Sequence, residues 1–246
     1  MRMFILICLF SLAGCVTTGP TIDKSKMAEG YYMKGLSYLQ ERNLEMASVE
    51  FHRSIQTDSN NKHAYYGLGL ISDAQGKLDE AIKYYKEVIS LDSDYSEAYN
   101  ALGSVYSKKQ KWPEAIKFYK KALENKLYTT PHMPNMNMGA AYMEMKEYDK
   151  AVESYREAKR YVYQDYIILQ LGLALYESGK IKEAISEFQE GIVLAPQNAT
   201  MRYHLALALL KSGNKKLALA EFKKAAEIVP KTDITTKAND YIKTLR

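Results

Sequence analysis

Only two cysteines occur in the 246 residues, beside one tryptophan, six prolines and four histidines. Cys8 and Cys15 both lie near the start, so no disulfide can staple the remainder and the fold has to rest on packed side chains. Proline and glycine are too sparse for a collagen-like or linker-like chain. With 47% hydrophobic and 26% charged residues, the composition is that of a folded, helical protein with a sizeable core. His52, His63, His132 and His204 are scattered, without a cysteine partner or a His-x-x-x-His spacing. That leaves a zinc hydrolase or a Cys-His nucleophile unsupported, and no enzymatic activity is expected. A dense basic stripe is missing too. Lys108-Lys109, Lys215-Lys216 and Lys223-Lys224 read as solvated helix faces, so the formal charge of +5 does not call for a nucleic-acid partner.

The start of the chain is the first positive signal. Met1-Arg2-Met3 is followed by an apolar run, Phe4 to Leu12, too short to span a bilayer as a permanent helix, and Leu12-Ala13-Gly14-Cys15 closes it with small residues. Residues 1–14 are therefore expected to be a cleaved signal peptide. Leu-Ala-Gly-Cys resembles the lipobox of bacterial lipoproteins. The resemblance implies that Cys15 is lipidated, with palmitate-type chains as the only attached group and no other cofactor. Several acyl chains anchor stably where one binds only marginally. By resemblance to Gram-negative sorting, Val16 in place of Asp implies a periplasm-facing outer-membrane lipoprotein. Val16 to Ser25 lacks apolar periodicity and reads as tether, so 15–27 are expected to be lipidated N-terminus and tether.

Beyond Met27 the chain repeats with a period of about 34 residues. Small residues recur at Gly35, Gly69, Gly103, Gly139, Gly172 and Ala206, and a second small column follows twelve residues later at Ala47, Ala81, Ala115, Ala151, Ala184 and Ala218. Between them the apolar period is helical, so each unit is a helix-turn-helix. An aromatic returns in every second helix, from Phe51 to Phe222. These columns resemble the tetratricopeptide-repeat family over Ala28 to Thr232. The resemblance implies an all-α, right-handed superhelical solenoid of six repeats, at 28–61, 62–95, 96–129, 132–165, 165–198 and 199–232. Ile234, Ala238, Tyr241, Ile242 and Leu245 fall at helical spacing, so 233–246 are expected to cap the last repeat, with Thr232 or Asp233 as N-cap.

One irregularity interrupts the rhythm: Gly103 to Gly139 is 36 residues, the excess lying in Leu127 to Pro134, where two prolines are expected to break a helix. Six repeats, a lipobox and this Tyr-x-x-Pro loop together resemble the type IV pilus biogenesis lipoproteins, the family of PilF, PilW and the pilotin Tgl. That resemblance implies a lipid-anchored assembly factor that binds a secretin subunit and promotes its insertion or multimerisation. A second reading is a general periplasmic adaptor for a protease or murein enzyme. Transferring the geometry of tetratricopeptide arrays puts Tyr32, Leu36, Tyr66, Leu70, Asn100, Ser104, Met136, Ala140, Leu169, Leu173, Tyr203 and Leu207 on the inner face. Such a groove suits an extended or helical apolar segment. Met133, Met136, Met138, Met143 and Met145 could hold Cu(I), but Met138 sits in a core slot, and core or groove is the stronger reading. A monomer is expected.

Overall fold

The computed structural model describes residues 23–228 and 232–245, so the signal segment, Cys15, Val16 and Pro230 lie outside the described residues. Every element described is an α-helix. The chain divides into two compact units, residues 1–61 and 62–246.

The first unit is one helix pair, α1 (Lys24–Gln40) and α2 (Leu44–Thr57). Helix α1 begins three residues before the expected end of the tether at Met27: the Asp23 side chain accepts from Lys26 N at 3.2 Å and so caps a polar first turn. Phe51 and Ala47 are fully buried between the two helices. Glu50, also buried, is held by Lys34 at 2.9 Å and Arg53 at 2.8 Å.

The second unit carries the remaining helices in order: α3 (Lys62–Ala74), α4 (Leu78–Leu91), α5 (Ser96–Lys108), α6 (Trp112–Ala122), α7 (His132–Glu144), α8 (Tyr148–Tyr161), α9 (Asp165–Glu177), α10 (Ile181–Leu194), α11 (Ala199–Lys211), α12 (Lys215–Ile228) and α13 (Asp233–Leu245). Consecutive helices pack antiparallel, and the first helices of neighbouring repeats also touch, α3 on α5, α5 on α7, α9 on α11 and α11 on α13. The result is a stack of helix pairs whose first helices run side by side.

Each pair is closed by the same device. The second residue after the first helix adopts a left-handed conformation, at Arg42, Gly76, Gln110, Lys146, Gly179 and Gly213, with φ between 57° and 86°. The next backbone N–H reaches back to the carbonyl five residues earlier, as in Lys111 N to Tyr106 O and Lys180 N to Leu175 O, both at 2.9 Å. That pattern ends a helix in one residue and starts the next almost at once, here with Asn43 as N-cap of α2.

Inside a pair, the glycine column meets the aromatic column directly. At Gly172 an added Cβ would lie 2.4 Å from Phe188 Cε1, and at Gly139 it would lie 2.6 Å from Tyr155 Cε1. The absent side chain is the space the ring occupies. Tyr85, Tyr119, Tyr155, Phe188 and Phe222 are each at most 2% exposed, and one apolar cluster runs without a break from Ala115 to Ile242.

The prolines of the overrun begin α7 rather than break it. Pro131 is its N-cap residue and Pro134 its third residue, inside the first turn, where the missing N–H has no intrahelical partner to lose. The connection before it is tied down: Asn125 Nδ2 donates to Asp94 O at 3.0 Å, and Tyr128 is buried.

At the far end, α13 packs on both α11 and α12, and Thr232 Oγ1 accepts from Thr235 N at 3.2 Å, which makes Thr232 its N-cap. Beneath it His204 is wedged between Phe188, with ring centroids 6.1 Å apart, and Tyr203, at 5.3 Å. Burial, with Lys237 adding, pushes its pKa down to about 4. A pKa lower in the folded than in the unfolded chain means the unfolded chain binds more protons, so stability falls as pH drops from about 6.5 towards 4. Urea titrations over that range should show a loss of up to about 3 kcal/mol in the native chain that His204→Leu does not share. Parallel losses in the two proteins would refute this account.

Candidate partner-binding face

In the first unit Tyr32 is half-buried, its ring 5.9 Å from that of Phe51, and Leu36 is half-buried on the same helix. Both lie on α1, four residues apart, hence on one face.

The other ten expected groove residues sit on the first helices of the second unit: Tyr66 and Leu70 on α3, Asn100 and Ser104 on α5, Met136 and Ala140 on α7, Leu169 and Leu173 on α9, Tyr203 and Leu207 on α11. Each pair is again four residues apart, and the row of first helices aligns them into one face. Leu70 is 40% exposed and Ala140 is exposed, while Tyr66, Asn100, Ser104, Met136, Leu169, Leu173 and Leu207 are half-buried. Tyr203 differs. It is 8% exposed, packed on Phe222 and Tyr241, and so belongs to the core under α13.

Three features refine the expected apolar groove. First, its middle is polar: Asn137 Nδ2 donates to Asn100 Oδ1 at 3.1 Å, and Lys108 bridges both carboxylate oxygens of Asp73 at 2.7 Å. Second, the apolar surface continues onto residues outside the expected set, Met133 at 43% exposure and Tyr166 at 54%, with Tyr176 under the ammonium of Lys211 at 4.5 Å. Met133 and Tyr166 each lie three residues before an expected groove residue, a spacing that could have found them. Third, Tyr66 packs on Tyr85 and Tyr95, and burial, with Glu97 and Tyr128 adding, pushes its pKa up to about 12, so it presents a neutral hydroxyl. Through Tyr128 the overrun reaches the same neighbourhood.

The methionine cluster is divided. Met138 is buried and Met143 and Met145 pack against the core, while Met133 and Met136 remain on the groove side. Packing therefore accounts for three of the five thioethers.

Helix pairs of this pattern, joined by left-handed turns and stacked through small and aromatic columns, define a repeat scaffold for protein recognition. Sequence profiles described as TPR repeat or tetratricopeptide repeat match residues 28–61, 74–110, 96–126, 135–161 and 169–232, and the chain belongs to the tetratricopeptide-repeat family. No curated relative matches it in sequence. Among solved structures it is similar to PilF of Pseudomonas aeruginosa, with a TM-score of 0.74 at 19% identity, covering 88% of this chain and 98% of that one. PilW, described as a widely conserved type IV pilus biogenesis factor, gives 0.74 at 16% identity, covering 87% and 99%. YrrB, a TPR protein with an unusual peptide-binding site, gives 0.67 at 22%, covering 77% and 97%.

Proposed function

We propose that this chain is a lipid-anchored outer-membrane scaffold that assists assembly of a type IV pilus secretin, binding a secretin segment along its first-helix face. The observation that carries the reading is the likeness to PilF and PilW over nearly the whole length of all three chains. The sequence motif at Cys15 supports the anchor, and an inner row of tyrosine, leucine and methionine supports binding rather than catalysis. Asn100 and Asn137 in the middle of the row offer amide groups suited to a peptide backbone, and the flanking apolar positions suit its side chains.

Two experiments test the proposal. Secretin multimers should fall several-fold on gels of cells lacking the protein and return with the native chain. They should not return with the double variant Leu169→Asp and Leu173→Asp, two half-buried positions on the inner side of α9. Unchanged multimers and normal pili in the deletion strain would overturn the reading. Photo-crosslinking from Tyr66 separates the alternative, since capture of a protease or murein enzyme in place of a secretin would make the chain a general adaptor.

A further inference from the structure

Aligning the six repeats on their glycine column exposes a second candidate site, on the opposite side of α7 from Met136 and Ala140. The fourth position of the repeat is Tyr31, Tyr65 and Tyr99 in the first three copies, Asn135 in the fourth, and Ile168 and Arg202 in the last two. On the second helix the twenty-third position is Glu50, Tyr84, Phe118, Ser154, Glu187 and Glu221 in turn. In repeat two this couple is Tyr65 on Tyr84, rings 6.5 Å apart. In repeat three the two residues are Tyr99 and Phe118, the latter stacked on Tyr106 with ring centroids 5.1 Å apart, and in repeat six Arg202 is ion-paired to Glu221 at 2.9 Å. Ile168 of repeat five is fully buried. Repeat four alone has two small polar side chains there, Asn135 and Ser154.

The consequence is a cleft of about 410 Å³ along α7 and α8, lined by Asn135, Met138, Tyr142 and Ser154, with Lys150 5.6 Å from the Tyr142 ring centroid and Lys120 of α6 and Glu157 also bordering it. The clefts beside Tyr99 and Arg202 are lined by turn residues and helix ends and do not reach the positions equivalent to Met138 and Tyr142. Repeat four therefore has no large side chain at either position, whereas each of the other repeats has at least one. Its polar groups are arranged for a donor. Asn135 Nδ2 donates to Pro131 O at 2.8 Å and Ser154 Oγ donates to Lys150 O at 2.9 Å, which leaves Asn135 Oδ1 and the Ser154 lone pairs as acceptors. Asn135 itself is 94% buried, being 6% exposed.

We propose that this cavity receives a tyrosine side chain of a partner polypeptide, its ring on Met138 and Tyr142 and its hydroxyl donating to Asn135 or Ser154. The cavity lies beside the position at which the first three repeats carry tyrosine. The acceptor pair favours a ring with a hydroxyl over a bare phenyl, and an aromatic anchor in a preformed pocket is the usual core of a recognition site. The inference concerns a face that the first-helix row does not share, so it does not depend on what that row binds.

The test is an NMR titration of the ¹⁵N-labelled protein with N-acetyl-tyrosinamide. Saturable shifts are expected at the Asn135 side-chain amide and at Tyr142 and Ser154. N-acetyl-phenylalaninamide should bind several-fold more weakly. Asn135→Tyr, which restores the residue found in the first three repeats, should abolish the shifts while keeping the melting temperature at or above that of the native chain. Ser154→Phe provides a second filled variant if the first is misfolded. Absence of saturable shifts, equal binding of the two amides, or undiminished binding in a folded filled variant would each overturn the proposal. None of these outcomes bears on secretin multimerisation through the first-helix face, so the two readings fail separately.

Discussion

Phe188→Ala should destabilise the protein by about 3–5 kcal/mol, the range for emptying a buried aromatic site. Phe188 is fully buried, lies on Gly172 so closely that a Cβ there would sit 2.4 Å from the ring, and stacks on His204 of the next repeat. Its removal leaves a void against a backbone that cannot collapse inward, because Gly172 has no side chain to offer. The void also loosens two repeats together, since a repeat array is stabilised by each unit and by its interfaces with neighbours. Chemical denaturation should therefore show a lowered midpoint and a broadened transition as cooperativity weakens. Val193→Ala, at a position 81% exposed, should change stability by no more than about 0.5 kcal/mol. A loss below about 1 kcal/mol for Phe188→Ala would contradict the packing derived for the glycine-aromatic columns.

Those columns are legible in the amino-acid sequence alone, because a repeat multiplies each weak preference: one Gly-x₁₁-Ala pair says little, while the same offset in successive units fixes both the helices and the turn between them. The left-handed turn position is half hidden for the opposite reason. Glycine marks it at Gly76, Gly179 and Gly213, but Arg42, Gln110 and Lys146 adopt the same backbone with no local sign of it. Helix α1 starts ahead of Met27, the expected tether boundary, because its first turn is polar and its cap, Asp23, stands ahead of any apolar period. The prolines of the overrun are helix breakers by residue type, yet their place in the first turn of α7 makes them starters.

The candidate face is legible in outline and not in detail. Helical spacing locates the first-helix stripe, yet burial of Tyr203 depends on Tyr241, 38 residues later in α13, and the polar centre depends on Asn137 reaching Asn100 in the preceding repeat. Both are interactions between elements, beyond the reach of a one-helix pattern. The Asn135–Ser154 cleft is intermediate. Its two columns can be read by aligning the repeats, but that two small polar residues leave a cavity, rather than a gap closed by neighbours, requires the packed helices.

The second large effect concerns the end of the array. Truncation after Thr232 should unfold repeat six, with loss of hydrogen-exchange protection over α11 and α12, dye binding to exposed apolar surface, and self-association. Tyr241 stacks on Phe222 at 4.7 Å with an interplanar angle of 2° and also contacts Tyr203, so α13 supplies the ring that the next repeat would otherwise provide. Ala238 is fully buried and Ile242 nearly so, with Ile234 and Leu245 packed against the same cluster. At about 1.5–3 kcal/mol for each large apolar side chain fully buried, and less for the partly exposed ones, the helix contributes several kcal/mol. That is more than a single terminal repeat is expected to hold in reserve. Single substitutions dissect the effect. Tyr241→Phe keeps the stacked ring and should preserve the fold, whereas Tyr241→Asp places a charge over Phe222 and should reproduce the truncation. If the truncated chain stays monomeric and repeat six keeps its exchange protection, α13 is an appendage rather than a cap, and the burial of Tyr203 must come from α11 and α12 alone.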